Sequence, residues 1–523
     1  MRVSPVLPNI FLTNHCRYKI DAICINQQDA AERGQQVQIM KEIYAQADCV
    51  HIWLGPGSPA TRDLIHRMTQ IALDEADISI VTDEDGPFFE FVRIMKFAWW
   101  FRLWVVQEAI LAKSRAAWIG DACTAFDAII FTCQALGNSA MLGMADINRP
   151  GLTTQDIFKL QSRSLRFSKG QECYRVSHIK GLLSMFMNFQ YCRCSDDRDH
   201  IYGMLGLLPA ALGLIPDYSL AVAQVYERSC LAIMQWSNSL ELLRLRYQPL
   251  AAKILPSWVC DFRRVAPYMN HDWVDVSDGF NACRGAHCYL SQPKPGALNV
   301  QMLAFDQIRD MQEYCFGDEH RKEDLTFDPA GIDNSMRGLL KQWHGLATGA
   351  GGSPSGESVA FWRTVATGKM SGLRALDGSD LDWHAEYIDE DVASRLDHWL
   401  FAEDDSEKIH SQLLTAFMVR VWGHTFFVTT KGYPGSATAT GPGKGDTVAI
   451  LAGLSCPVIL REVPGFGSRH FKLVATCYCD GKFSRKADHS MLSWTHNRDH
   501  VWRSGSRSSP GEGHRRICSR FRI

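Results

Sequence analysis

The sequence predicts an α/β protein: a parallel sheet flanked by helices, then a helical extension and a small β-rich C-terminal unit. Three observations lead there. Short, mostly apolar runs at Ile20–Ile25 and Cys49–Leu54 lack the alternation of a half-solvated strand, as expected of strands buried on both faces. One helical pattern joins them, with Val37, Met40, Tyr44 and Ala47 at steps of three and four. Period-two and apolar runs return only near the C-terminus, among glycines and prolines.

The elements follow in order. Strand Ile20–Ile25 ends at the polar stretch Asn26–Asp29, where Asp29 and Glu32 have capping-box spacing, so a helix is expected over Glu32–Ala47. The strand Cys49–Leu54 stops at Gly55-Pro56-Gly57. Two buried strands joined by one helix must run parallel, with a right-handed crossover. Phe88 to Ala112 is read as one long helix, Phe89–Leu111, too rich in aromatics to face solvent and too charged (Glu90, Arg93, Lys96, Arg102, Glu108) to span a membrane. A third strand is expected at Ala116–Ile119. Ligands of parallel sheets sit at the carboxyl ends of the strands, which places Asn26 and Gln27 at a candidate site, with Asp21 further back on the same strand. The competing reading is a turn and cap, in which these polar side chains only satisfy backbone groups.

Composition narrows the function classes. With 55 basic and 57 acidic side chains the net charge is -2, so the molecule as a whole is no electrostatic binder of nucleic acid or membranes. Seventeen cysteines, often inside apolar runs, fit buried thiols in a reducing compartment better than a disulfide framework. The pairs Cys192/Cys194 and Cys477/Cys479 lack the spacing of a zinc site, so no metal is expected. Pro5, Pro8, Asn9 and Asn14 interrupt any signal-peptide core, and a cytoplasmic protein is expected.

The block from Asp21 through Gln27 to Gly55 resembles the core of the fungal heterokaryon incompatibility (HET) domain family. Further blocks are similar to that family in the same order. They are Trp99, Arg102, Trp104, Gln107 and Glu108, then Asp196-Asp197-Arg198-Asp199 through Gly206-Leu207, then Pro216-Asp217-Tyr218-Ser219, then Leu255-Pro256-Ser257-Trp258-Val259. Cys260 stands where the family usually has proline, and Phe280-Asn281-Ala282 resembles another short motif. The family's opening strand, of the type A-L-S-Y-x-W-G, is not found in Met1–Tyr18. The resemblance implies domains at 1–125 (a TIR-like HET core, apparently missing its first strand) and 126–310 (a mainly helical continuation). A variable, partly mobile insertion at 311–410 and a small β-rich unit at 411–481 follow. The stretch 482–523 has ten Lys/Arg against three acids and reads as a disordered basic tail or a gene-model artefact without stable packing. The glycine-rich loop Gly441–Gly445 lacks the spacing of a phosphate loop.

Three functions are compatible with this reading. The resemblance implies non-self recognition with cell-death signalling, through self-association or protein partners. Distant similarity of HET domains to Toll/interleukin-1 receptor (TIR) domains implies a second: an enzyme cleaving NAD, with Glu108 as the carboxylate and Asp21, Asn26 and Arg102 lining the pocket. Arg198 is a further ligand-binding candidate, although Arg198 and Asp199 could equally bond each other, bond the first block or cap a helix. The third function is none: an inactive, truncated paralogue.

Overall fold

A computed structural model describes most of residues 24–141, 178–245, 255–263, 282–313, 329–348, 355–366, 388–402 and 421–480, and short strands between 493 and 522. Helices and sheets are mixed, and the chain divides into two compact units, Met1–Ser229 and Cys230–Ile523. Among the described residues no helix is long and apolar enough to cross a membrane.

The first unit opens with helix α1, Ala30–Gln46. Asp29 caps it, its Oδ1 accepting from the amides of Ala31 at 2.9 Å and Glu32 at 3.1 Å. Glu32 does not close the box on the Asp29 amide, which donates to the Asn26 carbonyl, but reaches past the cap to accept from the Asn26 amide. Val37 and Met40 are buried, as the periodicity requires. Strand β1, Val50–Gly55, pairs in parallel with β2, Arg115–Ile119. A strand that was not expected, β3 (Ala122–Ala125), returns antiparallel through a two-residue turn. Gly120 takes φ 61° there, which such a turn favours at its first position. Residues 20–23 of the expected first strand lie outside the described residues. Of its remainder, Cys24 and Ile25 are not in a strand, and Cys24 is exposed.

The expected helix Phe89–Leu111 is broken into three pieces. Helix α3 spans Asp85–Met95 (α2 is Thr61–Ala72), a 3-10 turn covers Ala98–Phe101, and α4 spans Val105–Leu111. Phe97 and Arg102 are extended at the two joints. The aromatics explain the break, since one straight helix could not point them all inward. The joints let Trp99 and Trp100 pack edge to face at 5.0 Å, with Phe126 of α5 (Phe126–Met141) stacked 5.6 Å from Trp100. The Phe97 ring lies over Gly55, where a Cβ would come within 2.8 Å of it. At the second joint the Leu103 amide donates to the Arg193 carbonyl. Helix α6, Ile179–Phe189, the single turn α7, Asp199–Tyr202, and α8, Val222–Ser237, follow.

The second unit is built on an antiparallel sheet. Its strands are β4 (Leu290–Lys294), β5 (Ala297–Glu313), β6 (Thr425–Thr429), β7 (Pro434–Ala437), β8 (Thr447–Leu451), β9 (Val458–Glu462) and β10 (Phe471–Cys479). The pairings β5–β6, β6–β7, β7–β10, β10–β9, β9–β8 and β8–β5 close on themselves, so these strands form a barrel. Ile308, Phe427, Ala437, Val448, Ile459, Val474 and Ala475 form one buried cluster drawn from all six strands of the ring. The sequence runs Thr425–Thr429, Val448–Leu451, Pro457–Arg461 and Lys472–Ala475 mark β6, β8, β9 and part of β10. Strand β5 crosses the boundary drawn at residue 310, and β7 lies within Lys431–Gly445, a stretch whose glycines and prolines read as a loop.

Three helices pack on the outer face of β6: α9 (Pro329–Thr348), α10 (Ser355–Val365) and α11 (Glu390–Phe401). Trp343, Phe361, Trp362 and Trp399 are buried there with Phe426 and Val428. Asp397 ties the helices together, accepting from Ser358 Oγ and from Trp362 Nε1 at 2.8 Å, with His344 Nε2 at 3.4 Å. The stretch 482–523, expected to lack stable packing, contains short paired strands. Strands β11 (Ser493–His496), β12 (Trp502–Gly505) and β13 (Arg516–Ile517) pair with one another, and β14 (Ser519–Arg522) pairs with β5. Backbone pairing on an open strand edge needs little apolar content, which is why composition did not reveal it.

Two stability tests follow. Gly435 faces Phe427 across the β6–β7 ladder, and a Cβ there would fall 2.2 Å from the ring. Gly435→Ala is expected to overpack the barrel and cost about 1–3 kcal/mol in denaturant unfolding. Asp397→Ala is expected to cost about 3 kcal/mol by the same measurement, because it strands buried donors on α10.

Candidate functional site

The motif blocks of the first unit converge on a cluster of charges and aromatics around α7. Asp199, 5% exposed, starts that single turn. Its Oδ1 accepts from Tyr218 OH at 2.7 Å and its Oδ2 from Trp104 Nε1 at 3.1 Å. Burial pushes its carboxyl above the usual range, against the pull of those two donors. Asp196 behaves in the opposite way. Burial pushes it up too, but Arg198 overrides this through its hydrogen bonds and charge, and holds it low. The two form a bidentate pair, with Nε–Oδ1 and Nη2–Oδ2 both at 2.8 Å. Arg198 Nη1 also donates to the carbonyls of Tyr218 and Leu220, the latter at 3.0 Å.

Helix α1 joins the cluster through Arg33. Its Nη2 is 3.3 Å from Asp196 Oδ2, and its guanidinium lies 3.5 Å from the centre of the Tyr218 ring. Gly34, the next residue, approaches the Pro216 carbonyl closely enough that a Cβ would stand 3.3 Å from it. Tyr202 OH donates to the Asp217 carbonyl and accepts from the Asp217 amide, both at 3.1 Å. Tyr226 OH donates to the Asp197 carbonyl at 2.6 Å. Gln107, on α4, is 1% exposed and accepts from the Gly206 amide through Oε1 at 3.1 Å. A Cβ on Gly206 would lie 2.4 Å from that oxygen, so the position admits only glycine without movement.

The sequence-predicted candidates fall as follows. Arg198 is in the cluster, but it bonds Asp196 and backbone carbonyls; among the described residues it neither pairs with Asp199 nor reaches the first block directly. Asn26 is exposed and makes a turn, its Oδ1 accepting from the Gln28 amide at 3.1 Å and its carbonyl from the Asp29 amide. Asp21 and Gln27 lie outside the described residues. Glu108 is half-buried on α4, and Arg102 is exposed at the joint before it. Sequence reasoning missed Arg33 and Trp104 as partners of this cluster, and Tyr218 as the donor to Asp199. The one available signal was that Tyr218 and Trp104 belong to recurring blocks; nothing in their spacing told which carboxylate they meet.

At the carboxyl end of β1, a second polar network forms. Glu90, 5% exposed, accepts from Thr61 Oγ1 at 2.5 Å and from Arg93 at 2.7 Å, while Arg93 also donates to the Pro56 carbonyl. Burial raises the Glu90 carboxyl, and its hydrogen bonds to Arg93, Thr61 and Ser58 bring it below the usual value. Cys194 and His200 resemble a nucleophile–base pair, with Sγ 3.2 Å from Nδ1. Burial and the neighbouring aspartates push that thiol up to about 12, so it is not a thiolate near neutral pH. Among the described residues no group of His, Cys, Asp and Glu could hold a metal ion.

The comparisons with known proteins bear on these blocks. The family model described as Heterokaryon incompatibility protein (HET) matches residues 13–108. The chain is a HET-domain protein. It is also 25% identical to Heterokaryon incompatibility protein 6, OR allele, of Neurospora crassa, over 88% of this chain and 80% of that one. No solved structure matches it. The cluster around Asp199 lies beyond the matched HET segment, which reaches it through Arg33 and Trp104.

The opposite shifts of the two aspartates give a pH test. Asp196, held low when folded, stabilises above the ordinary carboxyl value of about 3.9 and loses that contribution as pH falls. Asp199, held high, contributes fully below that value and loses it as pH rises through its folded pKa. Between about pH 4 and 7, urea midpoints of Asp199→Asn should therefore gain on wild type as pH rises, whereas the deficit of Asp196→Asn should stay constant there and shrink only as pH falls below about 3.9.

Proposed function

We propose that this chain is a heterokaryon incompatibility protein of a filamentous fungus, acting in non-self recognition and starting cell death when unlike hyphae fuse. The HET-family match, joined to similarity over 88% of the chain to a relative of that name, carries the reading. The chemistry of the motif residues is in keeping with it. Arg33, Trp104, Arg198, Asp199 and Tyr218 make their described side-chain bonds to one another, to Asp196 and to backbone carbonyls. Such a network couples distant segments, and a domain of this kind signals by self-association or by displacement of one segment by a protein partner. We place the parallel pair β1–β2 in a TIR-like core, and the protein in the cytoplasm. The domain limits proposed are a HET core to about residue 125 and its continuation to about residue 310.

The test is induced expression in a filamentous fungus, following hyphal death and NAD level for wild type and Glu108→Ala. Death with constant NAD that survives the substitution is the expected outcome. Death with NAD loss, both abolished in Glu108→Ala, would replace signalling by NAD cleavage with Glu108 as the carboxylate. Absence of death against every tester strain would overturn the proposal.

A further inference from the structure

Helix α1 packs on α4 and is lightly held. Of its 17 residues only Gly34, Val37 and Met40 are buried, against seven of eleven in α6. Arg33 ties it to Asp196 and to the Tyr218 ring, and Lys113 donates to its Gln46 carbonyl. Its departure leaves both aspartates of the cluster paired. Asp196 keeps its bidentate Arg198, and Asp199 keeps Tyr218 and Trp104. A segment anchored in this way opens locally, ahead of the unit it belongs to.

The surface beneath α1 is matched by it at one end only. There the Asp196 carboxylate and the Tyr218 ring receive a guanidinium, and the Pro216 carbonyl would stand 3.3 Å from a Cβ at position 34, so a small residue is needed. The other end holds Gln107, 1% exposed. Its Oε1 accepts from the Gly206 amide, but Nε2, with two hydrogens to donate, has no hydrogen-bond partner among the described residues. Buried donors are nearly always paired. Lys41 is the α1 residue beside it: a Cβ on Gly206 would lie 2.4 Å from Gln107 Oε1 and 3.4 Å from Lys41 Cβ. A lysine side chain carries donors and no acceptor, so it does not answer this amide.

We propose that the seat of α1 is a docking site for a helix of a partner protein, which displaces α1. The helix it fits has an arginine at the place of Arg33 and a small residue next to it. Apolar residues follow four and seven places after the arginine, as Val37 and Met40 do in α1. A glutamine or glutamate stands eight places after it, where α1 has Lys41. Charge complementarity with Asp196 selects the arginine, and the unpaired Gln107 amide selects the acceptor. That added hydrogen bond favours the partner over α1. The inference rests on the proposed signalling by displacement of a segment, and names the segment and what replaces it.

Hydrogen exchange followed by mass spectrometry on the full chain reads the opening of α1. Amides of residues 34–46 are expected to exchange at least about tenfold faster than those of α6, and exchange of the two together overturns the site. Lys41→Gln is expected to slow α1 about tenfold and leave α6 unchanged, whereas Lys41→Leu, which brings no acceptor, should not slow it. Equal slowing in both variants, or in neither, overturns the acceptor position. A fluorescein-labelled peptide of residues 28–48 carrying Lys41→Gln is then titrated by anisotropy into full-length Arg33→Ala, whose own α1 is weakened. It should bind about tenfold more tightly than the same peptide with Lys41 kept, or with Arg33→Ala added. Absence of binding, or equal binding by the three peptides, overturns the docking site. None of these readouts depends on hyphal death, so the docking site and the signalling reading fail separately.

Discussion

The first unit is organised around a carboxylate that is taken out of water without a full countercharge of its own. Asp199 is buried, and its two bonded donors are a phenol and an indole, both neutral. Buried carboxylates demand donors, so Trp104 and Tyr218 must be delivered from opposite directions in the sequence. That demand helps explain why the helix before Trp104 is broken. A continuous helix through Phe101 and Arg102 would carry Trp104 off in another direction. The extended Arg102, paired by backbone with Arg193, sets the start of α4 beside the turn that holds Asp199. The positive charge is supplied one step away. Arg33 and Arg198 both neutralise Asp196, and both guanidiniums lie near the Tyr218 ring.

Closure plays the equivalent part in the second unit. A barrel needs strands long enough to pair with two different neighbours, and β5 and β10 do this. β5 pairs with β8 over Met302–Gln307 and with β6 over Ile308–Glu313, with register shifts at Ala304/Asp306 and Ile308/Asp310. β10 passes from β9 to β7 after its own shift at Leu473/Ala475. Ser257, from the block Leu255-Pro256-Ser257-Trp258, accepts from the Leu473 amide at 3.1 Å, next to that irregularity. The loop Gly441–Gly445 is likewise pinned from within. Asp446 accepts from the Gly443 amide at 2.7 Å and forms a bidentate pair with Arg461, which also holds the Gly441 carbonyl. A loop whose amide faces its own carboxylate does not cradle a phosphate.

Local physics was legible in the sequence where one element decides its own geometry. Helix α1 and its Asp29 cap, the parallel pair at 50–55 and 115–119, and strands β6, β8 and β9 could be read from periodicity and stop signals. What was not legible depended on distant partners. The aromatic run from Phe97 to Trp104 has strong helical propensity, and tertiary packing of Trp99, Trp100 and Phe126 overrode it. Strand β5 mixes buried and exposed positions irregularly because its partner changes midway, so neither period shows. For the site, the sequence named Arg198 and Asp199 but could not assign their partners. Asn26 was weighed as a ligand against a turn, and the contacts described for it are those of a turn and a cap.

A site built for chemistry keeps at least one reactive group poised and accessible. Around Asp199 the polar atoms are instead committed. Asp199 has one donor on each oxygen, Asp196 is held by two arginines, and Tyr218 is kept protonated by burial and the adjoining carboxylate. Cys194, beside His200, is held as a neutral thiol. Commitment of this kind has a different use. Each member is satisfied only while four segments stay together: helix α1, the start of α4, the turn from Asp196 to Gly206, and the stretch from Pro216 to Leu220. Withdrawing α1 takes Arg33 from Asp196, and withdrawing the start of α4 or the stretch from Pro216 takes one of the two donors from buried Asp199, at a cost of about 1–3 kcal/mol each. The network therefore couples the four segments, so that displacement of a single one by a partner would weaken the contacts of the others.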